Sequence, residues 1–120
     1  MNVKELAKGL TYKGEAEGKR QTYHVFEGKG FYFIVSFHKG DADSGNFHFV
    51  EPGAVEYVRK NFAGESGVTA KAVFEKGHRT HYFARELDAL GVLYVLVGIG
   101  DCAVDKRFKD KLLHFNMKPS

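Results

Sequence analysis

The stretch Phe31-Tyr-Phe-Ile-Val-Ser-Phe37 sets the strongest constraint on how this chain folds. It is aromatic and β-branched almost throughout, lacks a strong helix former, and is bounded by Gly28, Gly30 and Gly40. Such a run fits a pleated strand. With a side-chain period of two, Phe31, Phe33, Val35 and Phe37 share one face and Tyr32, Ile34, Ser36 and His38 the other. Apolar residues on both faces call for a strand covered on both sides. Thr22 to Glu27 pairs with it as a hairpin through Glu27-Gly28-Lys29-Gly30. Lys39-Gly-Asp-Ala-Asp-Ser-Gly45 reads as a turn, and Asn46 to Val50 as a third strand with Phe47 and Phe49 on one face. The expectation is a three-stranded antiparallel meander. It is preceded by a short amphipathic helix over Val3 to Leu10 and a connector rich in Gly, Glu and Lys.

From Glu51 the apolar period becomes helical. Pro52 suits a first turn, and Ala54, Val55, Val58 and Phe62 form a stripe that Gly64 can end. Thr69 is a good N-cap for a short helix carrying Ala72 and Val73 and ended by Gly77. A third helix is expected over Arg79 to Leu90, with Phe83, Leu87 and Leu90 turned inward and Gly91 at its end. Val92 to Ile99 reads as a strand. The polar loop Gly100 to Lys111 joins it to a second strand over Leu112 to Asn116. The chain therefore divides into an antiparallel sheet subdomain at 1–50 and a helical domain at 51–120. The Asn46–Pro52 link is short enough to hold the two against each other. The class is α+β.

The order of elements in residues 53–117 resembles a winged helix-turn-helix module. The residues that carry the resemblance are Ser66-Gly-Val-Thr-Ala-Lys-Ala-Val-Phe-Glu75 as second helix and Arg79-Thr-His-Tyr-Phe-Ala-Arg-Glu-Leu-Asp-Ala-Leu-Gly91 as third. Val92-Leu-Tyr-Val-Leu-Val97 and Lys111-Leu-Leu-His-Phe115 match its wing strands. Residues 1–50 fall outside the resemblance. It implies double-stranded DNA as partner, with the helix 79–90 in the major groove. Lys76 to Arg85 contains Lys76, Arg79 and Arg85 and no acid. On that resemblance Arg79 or Arg85 would pair with a guanine edge, and His78, Thr80 and His81 would reach base or phosphate. Lys106, Arg107 and Lys109 in the wing loop would neutralise phosphates.

Other features narrow the function further. With 18 Lys+Arg against 15 Asp+Glu, the net charge of +3 does not by itself demand a polyanionic partner. The longest uncharged apolar stretch, Ala89 to Ile99, is too short for a membrane helix, and a soluble, cytoplasmic protein is expected. One cysteine, Cys102, excludes a disulfide framework and a multi-cysteine zinc cluster. His78 and His81 form H-x-x-H, but zinc wants three or four ligands, and an exposed helix start accounts for them. Asp41-Ala-Asp43-Ser-Gly45 echoes a calcium loop without its closing glutamate, since Pro52 stands at the twelfth position, and a turn accounts for it.

Three functions follow. The first is a small DNA-binding protein, a transcriptional regulator or accessory factor, that uses no cofactor and catalyses nothing. The second is a protein-interaction or dimerisation module on the same fold. Its bare aromatic sheet face would form a homodimer, or would stack single-stranded nucleic acid. The third is a small nuclease built on His38 and His48, if they face each other across a hairpin near Asp41 or Asp43.

Overall fold

The computed structural model describes residues 10–17, 22–38, 41–105, 107 and 113–119. Four strands come first: β1 (Thr11–Glu17), β2 (Thr22–Gly28), β3 (Phe31–His38) and β4 (Asp41–Val50). Three helices follow: α1 (Pro52–Asn61), α2 (Ala70–Gly77) and α3 (Glu86–Gly98). The short strands β5 (Cys102–Val104) and β6 (Phe115–Met117) complete the α+β fold. The expected helix over Val3 to Leu10 lies outside the described residues, apart from Leu10, which is not helical.

The four strands form one antiparallel sheet in chain order. The hairpin β2–β3 and a β4 reaching Val50 match the meander expected from period-two faces. The sheet gains a fourth strand, because β1 occupies what reads as a connector. Only Ala16 of β1 is buried, so its sequence carries almost no alternation to read. The stretch Asp41–Gly45 lies within the extended strand β4 and is not a turn, although β3 meets only its two ends, at Phe37↔Gly45 and His38↔Asp41, with a register shift between them.

Alternation gives the sheet two unlike faces. The inner face carries Ala16, Val25, Ile34 and Val50, all within the main core. The outer face carries a row in which Tyr12, Phe26, Phe33 and Phe49 stand directly opposite one another across all four strands. Tyr12 meets Phe26 edge-on at 5.2 Å, and Phe49 stacks on Phe33 at 4.8 Å. The middle of the row is buried, with Phe26 at 1% and Phe33 at 6% exposure. Its ends emerge, Tyr12 at 49% and Phe49 at 66%.

α1 and α2 form as their sequences foretell. Pro52 opens α1, which buries Ala54, Val55 and Val58. The Thr69 hydroxyl accepts a 3.1 Å bond from Ala72 N–H and caps α2. The third helix differs from the expectation in place and in role. Residues 79–85 are turns and bends, and α3 runs from Glu86 to Gly98, through the segment Val92–Val97 expected as a wing strand. Its start is fixed by Asp88, whose Oδ2 accepts from the backbone N–H of Ala84 (3.1 Å) and Arg85 (3.0 Å). Glu86 and Asp88 lie in the first turn, where negative charge suits the helix dipole. Phe83 anchors the preceding bend and is buried, whereas Leu87 is 54% exposed instead of facing inward. A β-branched run buried on all sides has no periodicity to distinguish strand from helix, which is why Val92–Ile99 misleads.

From Ala89 on, α3 is buried almost all round, and it touches all four strands of the sheet, both other helices and β5. Its glycines allow the approach. A Cβ on Gly98 would stand 2.6 Å from Val25, and one on Gly14 would stand 2.3 Å from the Gly98 carbonyl oxygen. β5 and β6 pair as Cys102↔Met117, Ala103↔Asn116 and Val104↔Phe115, and Val68 forms a bridge to Phe115. The small sheet thus begins ten residues later than the first expected wing strand. One hydrophobic core runs from Ala16 to Met117, across the boundary at residue 51.

Candidate nucleic-acid interface

The connection between α2 and α3 holds most of the residues singled out for DNA contact. Lys76, His78, Arg79, His81 and Arg85 are all exposed, but none lies on α3. Only Lys76 is helical, in the last turn of α2. Its ammonium donates to the Asn61 carbonyl at 3.3 Å and sits 5.0 Å above the Phe62 ring. His78 Nδ1 lies 2.9 Å from the Glu75 carbonyl oxygen. Thr80 is half-buried and spent on the turn. Its hydroxyl donates to the Gly77 carbonyl at 2.7 Å, and its backbone N–H donates to the same oxygen at 2.9 Å. His81 faces Glu51 at 3.3 Å and packs on Tyr82 at 4.1 Å. Arg85 lies 3.6 Å from Asp88. Arg79 has no hydrogen bond or ion pair among the described residues.

The other sequence-derived contacts separate from this group. Lys106 and Lys109 lie outside the described residues. Arg107 is 80% exposed at its side chain, yet its guanidinium clasps Asp105 through Nε (2.9 and 3.2 Å) and Nη2 (2.7 Å). Asp105 also accepts from Arg107 N–H at 3.0 Å and Asn116 Nδ2 at 3.1 Å. These donors, the Arg107 side chain first, hold its carboxyl well below the usual range. Arg107 holds the Asp105 carboxylate, and Asp105 makes the link across to β6 through Asn116 and its own backbone N–H to the His114 carbonyl. The sequence reading of the wing loop named its basic residues and gave Asp105 no role. Its local partner two residues on was the available signal.

The constellation for nuclease chemistry is not assembled. β4 places His48 opposite Ile34, whereas His38 stands opposite Asp41, so the two histidines do not pair across the hairpin. His48 instead lies 3.9 Å from Asp88 on α3. Among the described residues no group of three His, Cys, Asp or Glu side chains could hold a metal ion. No family model, curated protein or solved structure matches the chain. No helix among the described residues is long and apolar enough to cross a membrane.

A cleft of about 470 Å³ lies between β1, the end of α3 and β5, lined by Glu15, Glu17, Thr22, Val97, Cys102 and Val104. Burial pushes the Cys102 thiol up to about 12, which leaves it protonated and a poor nucleophile at neutral pH. Arg59 pairs with Glu56 within α1, and its pair with Asp101 (2.6 Å) ties α1 to the loop after α3. No spacing rule in the sequence foreshadows the second, which spans 42 residues.

Proposed function

We propose that residues 52–117 form a winged-helix arrangement that grips duplex DNA by its phosphates, through the α2–α3 connection and not through a helix laid in the major groove. The element order supports the arrangement: helix, a bridging residue at Val68, two helices, then a strand pair joined by a loop. The mode of contact follows from burial. α3 is enclosed, and Glu86 and Asp88 set negative charge at its start, against an incoming phosphate. One observation carries the reading: Arg79 is exposed and unpaired among the described residues, between Lys76 and Arg85 in a run without acids. The pairs His81–Glu51 and Arg85–Asp88 join largely exposed side chains, except for the more sheltered Asp88. Surface pairs of this kind are worth about 0–1 kcal/mol, so a phosphate competes with them.

Phosphate contact of this kind positions a protein without reading sequence. The expected binding is weak and sequence-tolerant, with a dissociation constant of about 10⁻⁴–10⁻⁶ M at physiological salt. Neutralising about three phosphates gives a slope near −3 for log K against log salt. Electrophoretic titration of mixed-sequence duplex at two salt concentrations tests this. Arg79→Ala should lower the slope by about one. Absence of any complex at low salt, or a slope unmoved by Arg79→Ala and Lys76→Ala together, would overturn the reading. A protein-interaction role is favoured separately by the exposed Phe49 and Leu87.

A further inference from the structure

We propose that the cleft between β1 and β5 takes an extended peptide segment with basic side chains at alternate positions, paired along the free edge of β5. The proposal is independent of DNA contact and uses none of the residues assigned to it. In an antiparallel ladder, residues whose N–H and C=O face the partner strand alternate with residues whose groups face away. Lys118 N–H donates to the Asp101 carbonyl at 3.1 Å, and Asp105 N–H to the His114 carbonyl at 2.8 Å. Continued through the pair Ala103↔Asn116, this alternation turns the backbone of Cys102 and Val104 away from β6. It likewise turns the backbone of Phe115 and Met117 away from β5.

The two outer edges of this small sheet then differ. On the β6 side Phe115 exchanges both bonds with Val68, at 2.7 and 2.8 Å, and Met117 N–H donates to the Glu65 carbonyl at 2.8 Å. On the β5 side the N–H and C=O groups of Cys102 and Val104 have no backbone partner among the described residues. Both residues, with Ala103 between them, line the cleft of about 470 Å³. Successive side chains of a strand point to opposite faces, so three lining residues in a row mean that the cleft meets β5 along its edge. The volume falls within the range of small ligand sites, about 300–1,000 Å³. An extended peptide adds a strand to an unpaired edge of this kind, with main-chain bonds giving affinity and side-chain contacts giving specificity.

Charge selects the peptide. Across the cleft β1 supplies Glu15 and Glu17, both exposed, with the buried Ala16 between them. Two residues along a strand span about 6.6 Å, which is also the spacing of alternate side chains on an incoming extended segment. Lys or Arg at two such positions meets the two carboxylates, while Val97 and Thr22 complete the wall. The described lining residues hold two carboxylates and no cation, on a chain whose net charge is +3. An acidic segment is repelled there. β1 is bulged between Tyr12 and Gly14, so it reads the side chains and leaves the main-chain pairing to β5.

The test is a nuclear magnetic resonance titration of the full chain with the capped peptide acetyl-Lys-Val-Lys-Val-Lys-amide, followed on the backbone amides. The Cys102 and Val104 signals should shift most and exchange more slowly with solvent. Glu15→Gln should raise the dissociation constant about fivefold, the upper reach of one exposed ion pair. The same peptide N-methylated at every residue keeps its charges and loses its donors. It should bind about tenfold more weakly, as the loss of two hydrogen bonds requires. Absence of any shift at millimolar peptide overturns the proposal. So does equal binding of acetyl-Glu-Val-Glu-Val-Glu-amide, or an N-methylated peptide that binds as well as its parent. The same shifts from Nα-acetyl-lysine amide alone overturn it too, since charge without main-chain pairing would then account for the site. Movement of the Cys102 and Val104 signals with protein concentration, in the absence of peptide, would give the edge to a second copy and overturn it as well.

Discussion

The two edges of the sheet are built differently. β1 exposes Lys13, Glu15 and Glu17 and carries a register shift between Tyr12 and Gly14, so charge and a bulge both stand in the way of another strand. β4 has its own register shift and two aspartates in its first half, but from Ser44 to Val50 its sequence is uncharged, with the exposed Phe49 ring at its margin. They also rest on α3 in different ways. At β1 the contact is backbone on backbone, Gly14 against Gly98. At β4 it is the His48 side chain against Gly91. One edge is closed and rigidly seated. The other is open and cushioned by an imidazole that can turn.

The sharpest way to break this contrast is to add one methyl group at each seat. Gly14→Ala places a Cβ 2.3 Å from a backbone oxygen, and neither chain segment can yield without moving an element. The expected cost is about 3 kcal/mol, or a fall in Tm of about 12 °C at roughly 4 °C per kcal/mol. Gly91→Ala meets His48 at 2.9 Å, but that ring is half-buried and rotates aside. Relief of the glycine penalty, about 1 kcal/mol in a helix interior, offsets the crowding. Thermal melts should show a large loss for Gly14→Ala and a change within about 4 °C for Gly91→Ala.

How much of this was legible in the sequence depended on whether burial left a pattern. β2 and β3 are aromatic and β-branched runs bounded by glycines, and α1 and α2 carry stripes, a proline and a cap, so all were readable. β1 buries one residue and shows no pattern. α3 is enclosed on every side, so its valines and leucines lost the helical stripe and looked like a strand. The error at α3 carried into the site: Arg79, Thr80, His81 and Arg85 were set on a helix that starts after them. Arg79, His81 and Arg85 are exposed, whereas Thr80 is half-buried with its hydroxyl spent on the Gly77 carbonyl. The Asp105–Arg107 clasp was hidden because the loop was read for its cations alone, without counting the lone pairs of the carboxylate beside them.

A second experiment sharpens the contrast between edges by removing it. Replacing Lys13, Glu15 and Glu17 with Val, Thr and Thr should strip the guard from β1. With both edges open, β1 of one copy can pair with β4 of the next, a head-to-tail contact that does not close. Light scattering should then rise with time and concentration, while Phe49→Lys in the same background suppresses it.

The smallest expected effect concerns the little β5–β6 sheet, whose loop is fastened by charge. The Asp105 carboxyl titrates below its ordinary 3.8 in the folded chain, chiefly through the Arg107 side chain. A depressed folded value stabilises above the ordinary value and is lost as pH falls through 3.8 toward the folded one. Asp105→Asn should therefore flatten the decline of Tm measured between about pH 5 and pH 2, leaving its slope above that range unchanged.

The position of α3 has a consequence for how the molecule can be taken apart. It belongs to the second half of the chain, yet it is the floor on which the first half's sheet is laid. Severed at residue 51, the sheet would offer Val25 and Ile34 to water, and the helices would offer Leu93 and Leu96. Neither fragment inherits a closed interior, so unfolding is expected to be a single event, with nothing smaller than the whole left to purify, crystallise or graft onto another scaffold.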